Sequence, residues 1–206
     1  MLDLDGQSVI ALAPHLDDVE LGAGGTLFRL CRTSVVYYVG FSVPPLVERE
    51  VFMQEFWNSM KVLGLPGAQV LLHDYDPRDL YRSRSDILQI LYDLRVALKP
   101  SLILLPNSQD MHQSHEVVYA EGRRAFKFST LLGYELPWNS MEFSMDVFIN
   151  LSPEEVDAKV AAVNSYTTQT HRSFFNNNIV RDLARVRGEQ IEQAYAECFE
   201  AIRIIL

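Results

Sequence analysis

Short, wholly apolar runs separated by amphipathic stretches limit the folds open to this chain. Ser8-Val-Ile-Ala-Leu-Ala13, Ser34-Val-Val-Tyr-Tyr-Val-Gly40 and Ser101-Leu-Ile-Leu-Leu105 leave neither side of a strand polar, and residues 69–72 form a shorter run of the same kind. Strands of this type need cover on both faces. The stretches between them carry helical spacing. Residues 85–98 place Ile87, Leu88, Ile90, Leu91, Leu94 and Leu98 on one face, and Lys99-Pro100 ends the pattern. Residues 46–63 are spaced similarly and stop at Gly64, with Pro66 just beyond. Two shorter segments, 26–32 and 115–126, also read as helix. The alternation predicts an α/β fold, a mostly parallel sheet with helices on both faces.

The last third is patterned differently. Residues 131–136 and 146–149 read as short strands. Ser152-Pro-Glu-Glu155 opens a helix, with Ser at the N-cap, Pro first and Glu third. Two further helices are expected over 179–187 and 191–205. A chain of 206 residues without linker, repeat or low-complexity tract is expected to form one domain over 1–206.

Composition removes several function classes. A formal charge of −9 argues against nucleic acid or an anionic membrane surface as the main partner. No stretch approaches the roughly 18 to 20 apolar residues of a membrane span. The acidic start, Met1-Leu-Asp-Leu-Asp-Gly6, lacks the basic and long apolar regions of a signal peptide. Cys31 and Cys198 form neither a disulfide framework nor a CxxC metal site, and both read as buried small hydrophobes in helical patterns. A soluble, cytoplasmic protein without membrane insertion is expected.

Two polar loops follow strands directly. One holds His15, Asp17 and Asp18; the other holds Asp110, His112 and His115. Open α/β sheets bind ligands beyond the carboxyl ends of their strands, so neighbouring first and fourth strands bring both loops to one crevice. Imidazoles and carboxylates together suit zinc, and a further carboxylate and histidine can move the water's proton and stabilise an oxyanion. Taken singly, Asp17-Asp18 is equally readable as a helix cap. Packed side by side next to a histidine, however, the two acids repel each other unless a cation intervenes. Gly22-Ala-Gly-Gly25 allows a second reading, a dinucleotide pyrophosphate site. Its spacing is GxGG rather than GxGxxG, and three acidic residues precede it, so a tight turn and close helix packing are the better reading.

Pro14-His-Leu-Asp-Asp-Val-Glu-Leu-Gly-Ala-Gly-Gly-Thr26 resembles the HPDD(x)ELGxGGT segment of the PIG-L/LmbE-like de-N-acetylases. Asp110-Met-His-Gln-Ser-His-Glu116 resembles their second motif, D-x-H-Q-D-H. Gly133-Tyr-Glu-Leu-Pro137, Phe148-Ile-Asn-Leu-Ser152, Lys159, Tyr166-Thr-Thr-Gln169, Ala184-Arg-Val-Arg-Gly188 and Tyr195-Ala-Glu-Cys-Phe199 look like later family blocks. The resemblance implies a Rossmann-like fold and one zinc ion per chain held by His15, Asp18 and His115, a donor set that other divalent metals also fit. It implies Asp17 as general base and His112 as oxyanion partner. The implied substrate is a small N-acetylated sugar, sugar nucleotide or glycoconjugate. A homo-oligomer is compatible with it.

Three departures bear on function. Leu16 stands where the family has proline. Ser114 replaces an aspartate that helps orient and charge the oxyanion histidine; Asp110 is the nearest replacement. Phe52 stands where many members carry a substrate-contacting arginine, which leaves Arg49, Arg78 and Arg84 as candidate substrate contacts. These departures keep two alternatives open: a metal-containing binding protein with impaired catalysis, and a hydrolase of a non-sugar amide. His73 and His171 read as exposed turn and surface, and Arg181, Arg185 and Arg187 as a solvated helix face.

Overall fold

The computed structural model describes residues 6–43, 48–175 and 179–205. Seven strands form one sheet: β1 (Ser8–His15), β2 (Val35–Ser42), β3 (Val70–Leu72), β4 (Leu102–Pro106), β5 (Thr130–Tyr134), β6 (Val147–Asn150) and β7 (Ala196–Arg203). Their order is β3-β2-β1-β4-β5-β7-β6. The first five in that order run parallel; β7 lies antiparallel between β5 and β6. The helices are α1 (Asp18–Thr33), α2 (Arg49–Leu63), α3 (Arg84–Leu98), α4 (Gln113–Ala125), α5 (Pro153–Asn164) and α6 (Ile179–Glu189).

β1 shows why the apolar runs demanded two-sided cover. Val9, Ala11 and Ala13 enter one core with residues of α1, α2 and α5. Ile10 and Leu12, pointing the other way, enter a second core with residues of α3 and α4. Helices α2 and α3 stop where their sequences say. Gly64 and Lys99 adopt left-handed φ values of 75° and 45° at the ends of α2 and α3. At the start of α5, Ser152 Oγ accepts the Glu155 N–H and the Glu155 side chain accepts the Ser152 N–H, completing the capping box.

Several expectations need correction. Residues 191–205 are not helical: Ala196–Arg203 is strand β7. Tyr195, Phe199 and Ile202 mimic helical spacing, but Ala196, Glu197, Cys198 and Phe199 are consecutively buried, as an inner strand requires. Cys198 therefore sits on a strand, and Cys31 is only half-buried. Helix α1 begins at Asp18 rather than near Thr26, and the glycines lie inside it. They serve close packing: a Cβ on Gly22 would meet the Tyr134 ring at 2.7 Å, and one on Gly25 would meet Leu151 at 2.6 Å. The expected start of α2 at Leu46 and Val47 lies outside the described residues.

At Ala23 the backbone of α1 leaves helical geometry, with φ −139°. The N–H groups just beyond the kink are orphaned like those of any helix start. Glu197 reaches from β7 to satisfy them, accepting from Gly25 N at 3.0 Å and Thr26 N at 2.7 Å. Lys159 of α5 balances that buried carboxylate at 2.7 Å. The kink holds the first turn of α1 at the carboxyl end of β1.

Candidate active site

The sheet order changes direction between β1 and β4, which are hydrogen-bonded neighbours. A ligand crevice is expected where such a sheet switches. His15 is the last residue of β1, Asp18 the first of α1, and His112 caps α4, which contains His115. Both polar loops therefore meet at one place.

Three donor atoms form a nearly equilateral triangle. Asp18 Oδ2 lies 3.1 Å from His15 Nδ1 and 3.2 Å from His115 Nε2, and the two histidine nitrogens are 3.2 Å apart. A tetrahedral cation with ligands at about 2.0–2.1 Å needs neighbouring donors about 3.3 Å apart, so the triangle has the right size. The nitrogens of His15, His112 and His115 also group, but over distances of up to 4.8 Å. His112 is the looser member of the cluster.

The partners of each donor fix its direction. His115 Nδ1 lies 2.7 Å from Asp110 Oδ2, so the ring donates outward to Asp110 and turns its Nε2 into the triangle. Asp110 also accepts the His112 backbone N–H at 2.9 Å. It is thus the orienting partner of His115 and does not stand in for a carboxylate on the His112 ring. Burial works against charge on His115, but Asp18 and the Asp110 bond outweigh it and raise its pKa to about 10. Burial likewise penalises the Asp18 carboxylate, yet His115 and His15 hold its pKa below the usual range. A site that draws positive charge so strongly suits a cation.

Asp17 is different. It occupies the N-cap position of α1 without making a capping bond, so the reading of Asp17 as a simple cap does not hold. Its Oδ2 is buried without a hydrogen-bond partner. Burial first, and the neighbouring Asp18 second, push its pKa up to about 6. Arg172 approaches to 3.9 Å. His112 accepts the Ser114 backbone N–H at its Nδ1, 3.3 Å away, which leaves Nε2 as the protonated nitrogen. Burial, with His115 and His15 nearby, lowers its pKa to about 4, so the ring is neutral near pH 7. Ser114 instead donates to the Pro77 carbonyl at 2.7 Å.

These groups open onto a cavity of about 430 Å³. Its wall includes Arg78, Trp138, Asn139, Arg172 and Phe174. Trp138 and Phe174 stack with ring centroids 4.3 Å apart and planes 5° from parallel. Of the three candidate substrate arginines, only Arg78 lines this cavity. Arg49 is paired with Asp74 at 2.8 Å, and Arg84 with Glu121 at 2.5 Å. His73 is half-buried against Phe41 and Tyr75, outside the cavity lining; Arg187 is bound to Glu135 instead of facing solvent.

Sequence reasoning missed Trp138, Arg172 and Phe174. Two of them follow His171, which is indeed exposed, and no motif marks them. Glu55 holds the preceding segment, accepting from Thr167 Oγ1 at 2.5 Å, Thr168 N at 2.9 Å and Thr168 Oγ1 at 2.6 Å. That contact spans more than a hundred residues and is invisible locally.

No family model matches the chain. It is 27% identical over 172 residues to an Escherichia coli (strain K12) protein described as an uncharacterized deacetylase, covering 78% of this chain and 90% of the relative. N,N'-diacetylchitobiose deacetylase from Pyrococcus horikoshii shares the fold with a TM-score of 0.71 and 20% identity, over 95% of this chain and 84% of that one. A 4-carboxy-2-hydroxymuconate hydratase from Pseudomonas putida KT2440 also shares it, with a TM-score of 0.81 and 17% identity, over 97% of this chain and 98% of that one. The fold therefore hosts more than one reaction, and residues at the site must distinguish them. Both polar loops thus meet at the switch point of a fold shared with a solved deacetylase, in a chain similar in sequence to a protein described as a deacetylase.

Proposed function

We propose that this protein is a metal-dependent N-deacetylase that binds one divalent cation, best zinc, through His15, Asp18 and His115. The observation that carries the reading is the donor triangle, 3.1 to 3.2 Å on a side, beside the buried Asp17 Oδ2, which has no hydrogen-bond partner. A cation held there supplies Lewis-acid polarisation of the amide carbonyl and of the attacking water.

The chain's own residues do the rest. Asp17 accepts a proton as water adds to the acyl carbon, and its raised pKa makes it a stronger base than an exposed carboxylate. His112, neutral and protonated at Nε2, donates to the oxygen that gains charge. When the C–N bond breaks, Asp17 returns its proton to the departing amine. Acetate and a free amine result, and Asp17 is ready again.

An N-acetylhexosamine-type sugar, sugar nucleotide or glycoconjugate suits the cavity. The Trp138–Phe174 pair offers an apolar wall for a sugar ring, and the Pyrococcus horikoshii neighbour is named for an N-acetylated disaccharide. The test is acetate release from a panel of N-acetylated sugars by the zinc-loaded protein, with and without chelator. Chelator-sensitive acetate release is expected. Zinc-loaded protein that bound sugars but released no acetate from any of them would favour a binding protein; release only from non-sugar amides would move the substrate class.

A further inference from the structure

The segment Pro77–Arg78 is pinned to the active-site helix. Ser114 Oγ donates to the Pro77 carbonyl at 2.7 Å, and Gln113 Nε2 donates to the Arg78 carbonyl at 3.3 Å. The Arg78 N–H donates to Asp76 Oδ1 at 2.9 Å. The backbone of Arg78 is therefore held from three directions, two of them by residues of α4's first turn.

Among the described residues its guanidinium has no hydrogen-bond or ion-pair partner. Arg82 and Arg84 on the same stretch pair with Asp79 at 3.3 Å and Glu121 at 2.5 Å, while among the described residues no acid or carbonyl engages the Arg78 side chain. Arg172, the other cation in the cavity wall, already faces Asp17. Arg78 also borders a second cavity of about 320 Å³, which shares Gln113 with the first and has a mixed lining: apolar Leu80, Val117 and Ala120 beside Tyr81, Ser114, Glu116 and the Glu121-paired Arg84. An unpaired cation, fixed at its backbone, thus stands where two cavities meet in a chain whose formal charge is −9.

We infer that the substrate carries a carboxylate or phosphate outside its acyl group, and that Arg78 binds this anion while the remainder extends toward the second cavity. The inference rests on the deacetylase reading for the acyl end alone. A guanidinium is suited to either anion, since its planar N–H pairs match two oxygens at once. Ser114 contributes indirectly: a hydroxyl can donate to the Pro77 carbonyl, whereas an ionised aspartate there cannot.

The test is calorimetric binding to zinc-loaded Asp17→Asn protein, which separates affinity from turnover. Three probes are compared: neutral N-acetylglucosamine, N-acetylglucosamine 6-phosphate and N-acetylmuramic acid. At least one anionic probe is expected to bind about tenfold or more tightly than the neutral one, the worth of one charge-assisted contact. The stronger anionic arm identifies phosphate or carboxylate as the source. Arg78→Ala should bring that ratio close to one, and Arg78→Lys should restore part of it. Equal affinity for neutral and anionic probes, or no binding by any of them, overturns the inference. A preference that survives Arg78→Ala overturns it too, because the anion is then held by the metal or Arg172. Acetate release by the unmodified enzyme is read in parallel. Arg78-dependent binding without acetate release would sink the deacetylase reading and leave the anion site standing; acetate release without anion preference would do the reverse.

Discussion

The floor and the wall of the cavity are built in opposite ways. The floor uses His15, Asp17 and Asp18 within four consecutive positions, and Asp110, His112 and His115 within six. Two adjacent strand ends carry these loops, so correct sheet order suffices to assemble them. The wall uses Arg78 from the loop after β3, Trp138 after β5, and Arg172 and Phe174 after α5. Its members come from three separate connections, each held by long-range contacts. On the proposed function, chemistry is encoded compactly here and selectivity is dispersed. Loops on a rigid scaffold can vary without disturbing the strand ends that place the reacting groups.

The largest effect is expected at the floor. Asp17→Asn should lower kcat by about a hundred- to ten-thousandfold, the usual worth of general acid–base catalysis. Zinc content, measured by elemental analysis, should stay at one ion per chain. Normal turnover in that variant would remove Asp17 as the base; loss of zinc would make it a ligand. Next comes Asp110→Asn, which weakens the acceptor that orients His115. Zinc affinity should fall about ten- to a hundredfold in a chelator competition. Unchanged affinity would show that His115 needs no orienting carboxylate. Both variants should leave KM less affected than the wall variants do, if floor and wall are as separate as they look.

The same division explains what the sequence revealed. Apolar runs and helix stops predicted β1 to β6 and α2 to α6, because two-sided burial and capping are local demands. The polar loops could be matched to each other through one rule of sheet topology. Strand β7 was hidden by Glu197, a buried acid that breaks the apolar pattern and makes sense only beside the kink in α1 and Lys159. The early start of α1 was hidden by glycines that disfavour helix in isolation, yet are required where Tyr134 and Leu151 press on it. Trp138 and Phe174 read as two more aromatics until the fold stacks them.

At the wall, smaller and different effects are expected. Trp138→Ala removes the ring stacked on Phe174. A rise in KM of about three- to tenfold is expected for sugar substrates, the scale of one aromatic contact, with zinc content and kcat close to the parent. A fall in kcat without a change in KM would place Trp138 in the chemistry.

Glu55→Gln probes the wall from behind. Glu55 touches no cavity-lining group; it grips Thr167 and Thr168, a few residues before Arg172 and Phe174. The amide keeps one acceptor oxygen, enough for Thr167 Oγ1 and Thr168 N, while the bond to Thr168 Oγ1 must reverse, the amide N–H donating to the hydroxyl, or be lost. The segment should then loosen without unfolding, and KM should rise about two- to threefold, less than for Trp138→Ala, because the ring itself remains. Hydrogen exchange of the Thr168 amide should quicken, while zinc affinity stays unchanged. If zinc affinity fell together with the KM effect, the wall and floor would be mechanically joined through α2, and their independence would have to be given up.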